Sequence, residues 1–212
     1  MRRAPASHRA RGVTAVALAV AGAALWWRRN PSACPYGQRF WVEAPHPLVT
    51  RDRLHEALGP VTGRRLLEVG PGTGYYAVDT ADRVGAAGHL DLLDVQREML
   101  DHTVREAARR DLADRMTATQ GDAQALPYPD ATFDGAYIVL ALGEVPDQVA
   151  ALRELARVVR PGAPIVVGEL FGDPHMVTSR RLRERAALAG LAVQRRVGPW
   201  AGSFTVLRHA PG

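Results

Sequence analysis

Residues 66–76 read LLEVGPGTGYY, an apolar run that breaks into three glycines spaced two apart and then resumes as a helix-compatible stretch. Few local patterns restrict a fold so strongly. A buried strand must stop there, the backbone must turn through conformations that side chains resist, and a helix must follow at once. The same arrangement lets a ligand come close to the main chain and offers it the free N–H groups of a helix N-terminus. A tight strand–helix turn without a ligand carries the same punctuation, so the loop by itself leaves both readings open.

The pattern around it repeats. A short helix is expected at 50–58 with Thr50 as its N-cap. Strands are expected at 65–69, 89–94, 116–120, 133–140 and 164–169, alternating with helices at 75–83 and 96–111, a stripe through Val149, Leu152, Ala156 and Val159, and a helix at 179–189. Strands that alternate with helices predict an α/β fold, a mostly parallel sheet covered on both faces. The last two strands, 191–197 and 204–208, are separated only by Gly198-Pro199-Trp200-Ala201-Gly202. That stretch has room for a turn and none for a helix, so the closing pair is expected to be antiparallel.

Composition narrows the function classes. The chain has 212 residues, 47% hydrophobic and 23% charged, which excludes a collagenous or wholly disordered chain. One cysteine, Cys34, leaves no intramolecular disulfide and no Cys-rich zinc site, and the seven histidines include no HExxH spacing. No metal centre is expected. All 27 basic residues are arginine. Nine of them, against Glu43, Asp52 and Glu56, give residues 1–60 a charge of +6, while the remaining eighteen against nineteen acids leave the body at −1. A nucleic-acid partner would call for a basic stripe across the body, so none is expected.

The excess charge flanks an apolar run. Residues 13–27, VTAVALAVAGAALWW, lie between Arg2, Arg3, Arg9 and Arg11 on one side and Arg28 and Arg29 on the other. Fifteen helical residues span about 22 Å, less than the roughly 30 Å of a hydrocarbon core, and snorkelling arginines with a Trp pair make up part of the gap. A cleaved signal peptide, a retained N-terminal anchor, and an interfacial helix or mis-assigned start all fit this grammar. The arginine pair directly after the run favours the anchor. Residues 1–30 are therefore read as an apolar anchor or signal-like segment, 31–49 as a Pro/aromatic linker or a lead-in covering something, and 50–212 as the folded domain. For 31–49 composition favours the surface linker.

Three further signals accompany the glycine loop. Asp94 ends the second strand 20 residues after Gly74, where a carboxylate can accept from both hydroxyls of a ribose. Gly121-Asp122-Ala123-Gln124-Ala125-Leu126-Pro127 follows the third strand, and LARVVRPG precedes the fifth. In this order the motifs resemble the class I S-adenosylmethionine-dependent methyltransferases, and most nearly the subgroup of the ubiquinone/menaquinone C-methyltransferases and similar small-molecule enzymes. The resemblance runs from about residue 50 to 208. It implies a Rossmann-like, doubly wound, seven-stranded sheet and S-adenosylmethionine as cofactor.

Roles follow from the resemblance, residue by residue. Glu68 would face the cofactor's methionine ammonium, and Gly70, Gly72 and Gly74 would let the backbone meet its methionine and ribose parts. Asp94 would hold the ribose, and Val95 or Gln96 would flank the adenine. Asp122 would bind the adenine amino group, with Ala123 supplying a backbone N–H. Asp122 also suits an ordinary Gly-Asp turn. Glu68 has few structural excuses, since an unpaired buried carboxylate is expensive.

The acceptor side is thinner in sequence. Candidates near the transferred methyl are Tyr75 and Tyr76, then Leu140, Gly143 and Glu144 after strand four, and 171–175, with His175, after strand five. Glu144 reads equally as an acid at a helix N-terminus, and His175 reads more readily as a solvated loop residue. Arg180, Arg181, Arg183 and Arg185 read as a solvated helix face, able to meet anionic lipid only if the anchor is real. The expected function is methyl transfer to a small or lipophilic acceptor by a membrane-associated enzyme facing the cytoplasm, where the cofactor is made. A nicotinamide-dependent oxidoreductase is the runner-up, disfavoured because no Tyr-x-x-x-Lys is present and the chain has no lysine. A non-catalytic membrane-bound nucleoside-binding module is the third reading.

Overall fold

A computed structural model describes residues 32–38 and 47–211. The expected anchor at 13–27 lies outside the described residues. Among those described, no helix is long and apolar enough to cross a membrane.

Seven strands form one sheet: β1 (Arg65–Val69), β2 (His89–Asp94), β3 (Met116–Gln120), β4 (Gly135–Val139), β5 (Ile165–Leu170), β6 (Leu191–Val197) and β7 (Gly202–His209). Their order is β3-β2-β1-β4-β5-β7-β6. The first five run parallel, and β7 is antiparallel to both β5 and β6. The sheet is the expected Rossmann-like, doubly wound one.

The antiparallel pair arises as expected from the short turn, but β7 inserts between β5 and β6 instead of adding to the edge. Burial explains the swap. The β7 positions from Gly202 to Leu207 are all buried, whereas Gln194, Arg195 and Arg196 on β6 are exposed. A strand rich in charge is tolerated at a sheet edge, where it also blocks edge-to-edge pairing.

Five helices cover the sheet: α1 (Arg51–Leu58), α2 (Ala77–Val84), α3 (Arg97–Ala108), α4 (Gln148–Val158) and α5 (Ser179–Leu188). Thr50 caps α1 by accepting the N–H of Arg53, and Asp147 caps α4 by accepting from Val149 and Ala150. Side chains alternate along each strand, so Leu66, Leu92, Tyr137 and Phe204 face α1–α3 while Leu67, Leu93, Ile138 and Leu207 face α4 and α5. Each fully buried side chain of this kind contributes about 1.5–3 kcal/mol, and a sheet buried on both faces has no polar side to show.

α3 ends at Ala108, three residues before its expected end, and two other elements are shortened at the rim of the sheet. α2 starts at Ala77, two residues late, because Gly74 at φ 88° holds Tyr75 and Tyr76 in the turn. β4 stops at Val139 because Leu140 takes φ 55°, a left-handed conformation uncommon for a leucine. Both departures lie at the rim formed by the carboxyl ends of the parallel strands. In open sheets of this type that rim is where ligands bind.

Candidate functional site

β1 carries Glu68 into the sheet, one residue before its last, with only 2% of the residue exposed. Its Oε2 accepts a hydrogen bond of 2.8 Å from the Tyr137 hydroxyl on the neighbouring β4. Burial pushes the Glu68 carboxyl up to about 8, against the opposing pull of that hydrogen bond, and the nearby Asp94 adds to the rise. A second buried acid shows what is missing. Asp91 on β2, 1% exposed, is met by Arg65 at 2.8 and 2.9 Å. Glu68 has no such cation among the described residues. A carboxyl kept dry at the end of a strand with only a phenol for company fits a ligand that brings its own positive charge.

The glycine loop explains how chain and ligand reach this carboxyl. Gly70 takes φ 69°, and a Cβ there would lie 2.8 Å from the Cβ of Ala141. Gly74 packs against α3, where a Cβ would meet Thr103 Cγ2 at 3.1 Å, and the Thr103 hydroxyl donates to the carbonyl of Gly72 at 3.0 Å. The third glycine thus seats the loop on a helix. Tyr76 belongs elsewhere: it is buried, its hydroxyl donates to the Val49 carbonyl, and its ring meets Phe204 edge-on. That removes it from the acceptor candidates, because the core claims both its ring and its hydroxyl. Tyr75 stays at the rim, under the guanidinium of Arg51 at 4.1 Å.

Asp94 ends β2 with 9% exposure, accepting from Gln96 N at 2.9 Å. Burial raises its carboxyl to about 6. Val95 beside it is 50% exposed, an apolar surface facing outward at the rim. Asp122 is exposed, and its carboxylate takes the N–H and side-chain amide of Gln124 at 2.9–3.0 Å. The turn geometry that suits a Gly-Asp step is therefore present. Ala123 next to it is buried.

On the acceptor side, Glu144 closes a 3-10 turn, Leu142–Glu144, that follows β4. Asp147, not Glu144, caps α4, which disposes of the helix-terminus reading of Glu144. Burial raises its carboxyl to about 7, with Asp173 and Asp94 adding repulsion. The loop after β5 lies directly on this turn: a Cβ on Gly143 would come within 1.7 Å of the His175 carbonyl oxygen. His175 is half-buried and its N–H donates to Asp173 at 2.7 Å, so it is no freely solvated loop residue. Arg180, Arg181 and Arg183 are exposed as expected, while Arg185 is half-buried and donates to Gln148.

One feature went unread in the sequence, and a second was offered there only as the less favoured of two readings. Glu169, near the end of β5, accepts from Val177 N at 3.0 Å through one oxygen, while the other is buried without a partner. Burial raises it to about 8. The signal was an acid in the apolar strand IVVGEL, the same rule that singles out Glu68 and Asp94. The second is the lead-in. Cys34 N–H donates to Glu144 Oε2 at 3.2 Å, Gln96 Nε2 donates to Cys34 O at 2.9 Å, and Tyr36 N–H donates to Gln96 Oε1 at 3.2 Å. The Tyr36 hydroxyl pairs with His102 of α3 at 3.1 Å. Since β1 lies between β2 and β4, residues 34–36 form a strap from the end of one flanking strand to the end of the other, past the glycine loop.

Comparisons with known proteins agree with this geometry. A family model described as a methyltransferase domain matches residues 66–162. The ubiquinone/menaquinone biosynthesis C-methyltransferase of Cellvibrio japonicus is 39% identical over 120 residues, 57% of this chain and 48% of that protein. The O-methyltransferase rstn1 of Aspergillus nomiae is 33% identical over 132 residues, 62% of this chain and 57% of that protein. The chain thus spans about half the length of the curated relatives it matches. In fold, it resembles a SAM dependent methyltransferase from Aquifex aeolicus with a TM-score of 0.76 at 21% identity, over 84% of this chain and 100% of that one.

Proposed function

We propose, for a chain whose residues 66–162 belong to the class I S-adenosylmethionine-dependent methyltransferases, that the protein methylates a small lipophilic acceptor. The observation that carries the cofactor half is Glu68, a dry carboxyl raised to about 8 beside a glycine loop, with no cation to neutralise it among the described residues. An α-ammonium placed there would draw the proton off Glu68 and form a charge-assisted hydrogen bond. Asp94 would accept from the ribose hydroxyls, Val95 would cover the adenine, and the Ala123 N–H with Asp122 would meet its edge. For Asp122 this means sharing a carboxylate already engaged by Gln124.

The bound sulfonium supplies an electrophilic methyl group and a neutral leaving thioether. The chain's residues then have three tasks: to hold, to align and to keep water out. The strap at 34–36 serves the last, and its anchor on Glu144 ties closure to the acceptor side. Glu144, with its carboxyl near 7, is placed to take a proton from an acceptor hydroxyl or acidic carbon, and His175 lies on the adjoining loop. A lipophilic acceptor is supported by the name of the Cellvibrio relative and by the apolar run at 13–27, which would hold the enzyme at the cytoplasmic face of a membrane.

Calorimetry of the full chain with S-adenosylhomocysteine tests the cofactor half. Binding in the micromolar range is expected, with Gly72→Arg abolishing it and Asp94→Ala weakening it by roughly ten- to a hundredfold, as loss of a charged hydrogen-bond acceptor implies. Unchanged heat in both variants would place the pocket elsewhere. Transfer of labelled methyl from the cofactor into a total lipid extract tests the acceptor class.

A further inference from the structure

Among the described residues, the large apolar side chains most exposed to water include Trp200 at 77% and Phe171 at 62%. They are not scattered. Phe171 follows β5, Trp200 sits in the turn between β6 and β7, and their rings meet edge-on at 5.3 Å. The Phe171 N–H donates to the Ala201 carbonyl at 2.7 Å, which fixes the two turns to each other. Because β7 is antiparallel to β5, with Leu170 opposite Gly202, this turn stands at the carboxyl end of β5. The aromatic pair therefore occupies the same rim as the glycine loop, at the start of the loop that packs on Gly143.

Two cations, Arg53 and Arg196, flank the pair, and a third, Arg51, stands at the start of α1, where its charge also bears on Asp79. The Arg53 stem runs beside Gly198, where a Cβ would lie 3.6 Å from its Cδ, and its guanidinium donates to the Leu48 carbonyl. Arg196 donates to the Ser203 hydroxyl at 2.7 Å, and Arg51 to the Tyr75 carbonyl at 2.8 Å. All three guanidiniums bond neutral oxygens, in a chain whose other arginines commonly pair with acids, as Arg83, Arg97, Arg157 and Arg160 do. Two protruding aromatics beside Arg53 and Arg196, neither of which meets an acid among the described residues, match a surface that is apolar beneath and anionic above. A tryptophan is favoured at that boundary, and each arginine gains from the anionic headgroups.

We propose that the Phe171–Trp200 rim, flanked by Arg53 and Arg196, docks the domain on an anionic bilayer surface with the carboxyl ends of the parallel strands facing the lipid. A bilayer-soluble acceptor would then enter without crossing water, so this inference rests on the lipophilic-acceptor reading above. It is distinct from the apolar run at 13–27, which would only tether the chain and would leave the orientation of the domain free.

The test uses the full chain with Trp26, Trp27 and Trp41 each changed to Phe, leaving Trp200 as the single tryptophan. Cofactor-analogue binding equal to the parent's serves as the folding control. With vesicles of phosphatidylcholine and phosphatidylglycerol carrying brominated acyl chains, Trp200 emission is expected to fall at least twofold and shift to the blue. Arg196→Ser is expected to weaken the vesicle dependence of that signal by roughly fivefold, the share of one interfacial arginine, and Phe171→Ser to weaken it further. If the chain sediments with the vesicles while Trp200 remains unquenched and open to iodide, the domain does not dock by this rim. Absence of any vesicle binding overturns the proposal equally. Methylation of lipid extract dispersed in detergent separates the two ideas. Activity there without quenching removes only the surface, and quenching without activity removes only the acceptor.

Discussion

Glu68 concentrates the chemistry of this site in one side chain. Its oxygen is held by Tyr137, whose own ionisation burial pushes well above the ordinary range, so the phenol remains the donor. The free carboxyl sits near 8 and keeps its proton at neutral pH. A cationic ligand favours the carboxylate, so binding expels that proton at any pH below 8. Affinity for S-adenosylhomocysteine is therefore expected to rise with pH from 6 towards 8 by at most about tenfold per unit, with proton release visible as a buffer-dependent heat. Glu68→Gln keeps the shape of the neutral acid and the bond to Tyr137. It should flatten this pH dependence and weaken binding by roughly tenfold or more while leaving the fold intact. An undiminished slope in that variant would assign the proton to another group. In sequence, Glu68 and Asp94 were legible because an acid at the end of an apolar strand has no cheap structural use. Glu169 obeys the same rule, penultimate in β5 as Glu68 is in β1, yet no alternating-glycine loop follows its strand to draw attention to it.

At the scale of elements, the site is made by junctions. The Leu142–Glu144 turn and the loop after β5 touch at Gly143, where a methyl group would overlap the His175 carbonyl. Gly143→Ala must push that loop outward, since backbone cannot yield as a flexible side chain does. The expected result is a turnover number lower by roughly ten- to a hundredfold with cofactor-analogue affinity unchanged, because a displacement near 1 Å spoils the alignment of acceptor and methyl. Equal losses in both would mean that the whole rim had moved. Elements themselves were largely readable: β1, β2, β3 and β6 fall where the apolar runs lie, and Thr50 caps α1. Their ends were less so. Leu140 at φ 55° stops β4 for reasons of contact, not of sequence, and the strap at 34–36 is held by Gln96 and Glu144, more than 60 residues away.

The whole molecule rests on the placement of β7. Inserted beside β5, it brings Phe204 over Gly168, where a Cβ would come within 2.8 Å of the ring and 2.7 Å of Val139 Cγ1. Gly168→Ala is therefore expected to cost about 1–3 kcal/mol and lower Tm by several degrees. A thermal scan showing no loss would mean that β7 can move away from β5. The same insertion carries Trp200 to the catalytic rim, so topology decides which surface accompanies the crevice. The sequence by itself determined that strands and helices alternate, that the closing pair is antiparallel, and that a glycine loop and two acids stand at the strand ends. These are consequences of periodicity, turn length and the cost of burying charge, all of which act locally. Tertiary structure alone decided that β7 precedes β6 in the sheet, that Tyr76 belongs to the core, and that the lead-in is bound across the strand ends. Those outcomes depend on which distant surfaces meet, and contacts between residues far apart in the chain leave no periodic trace in it.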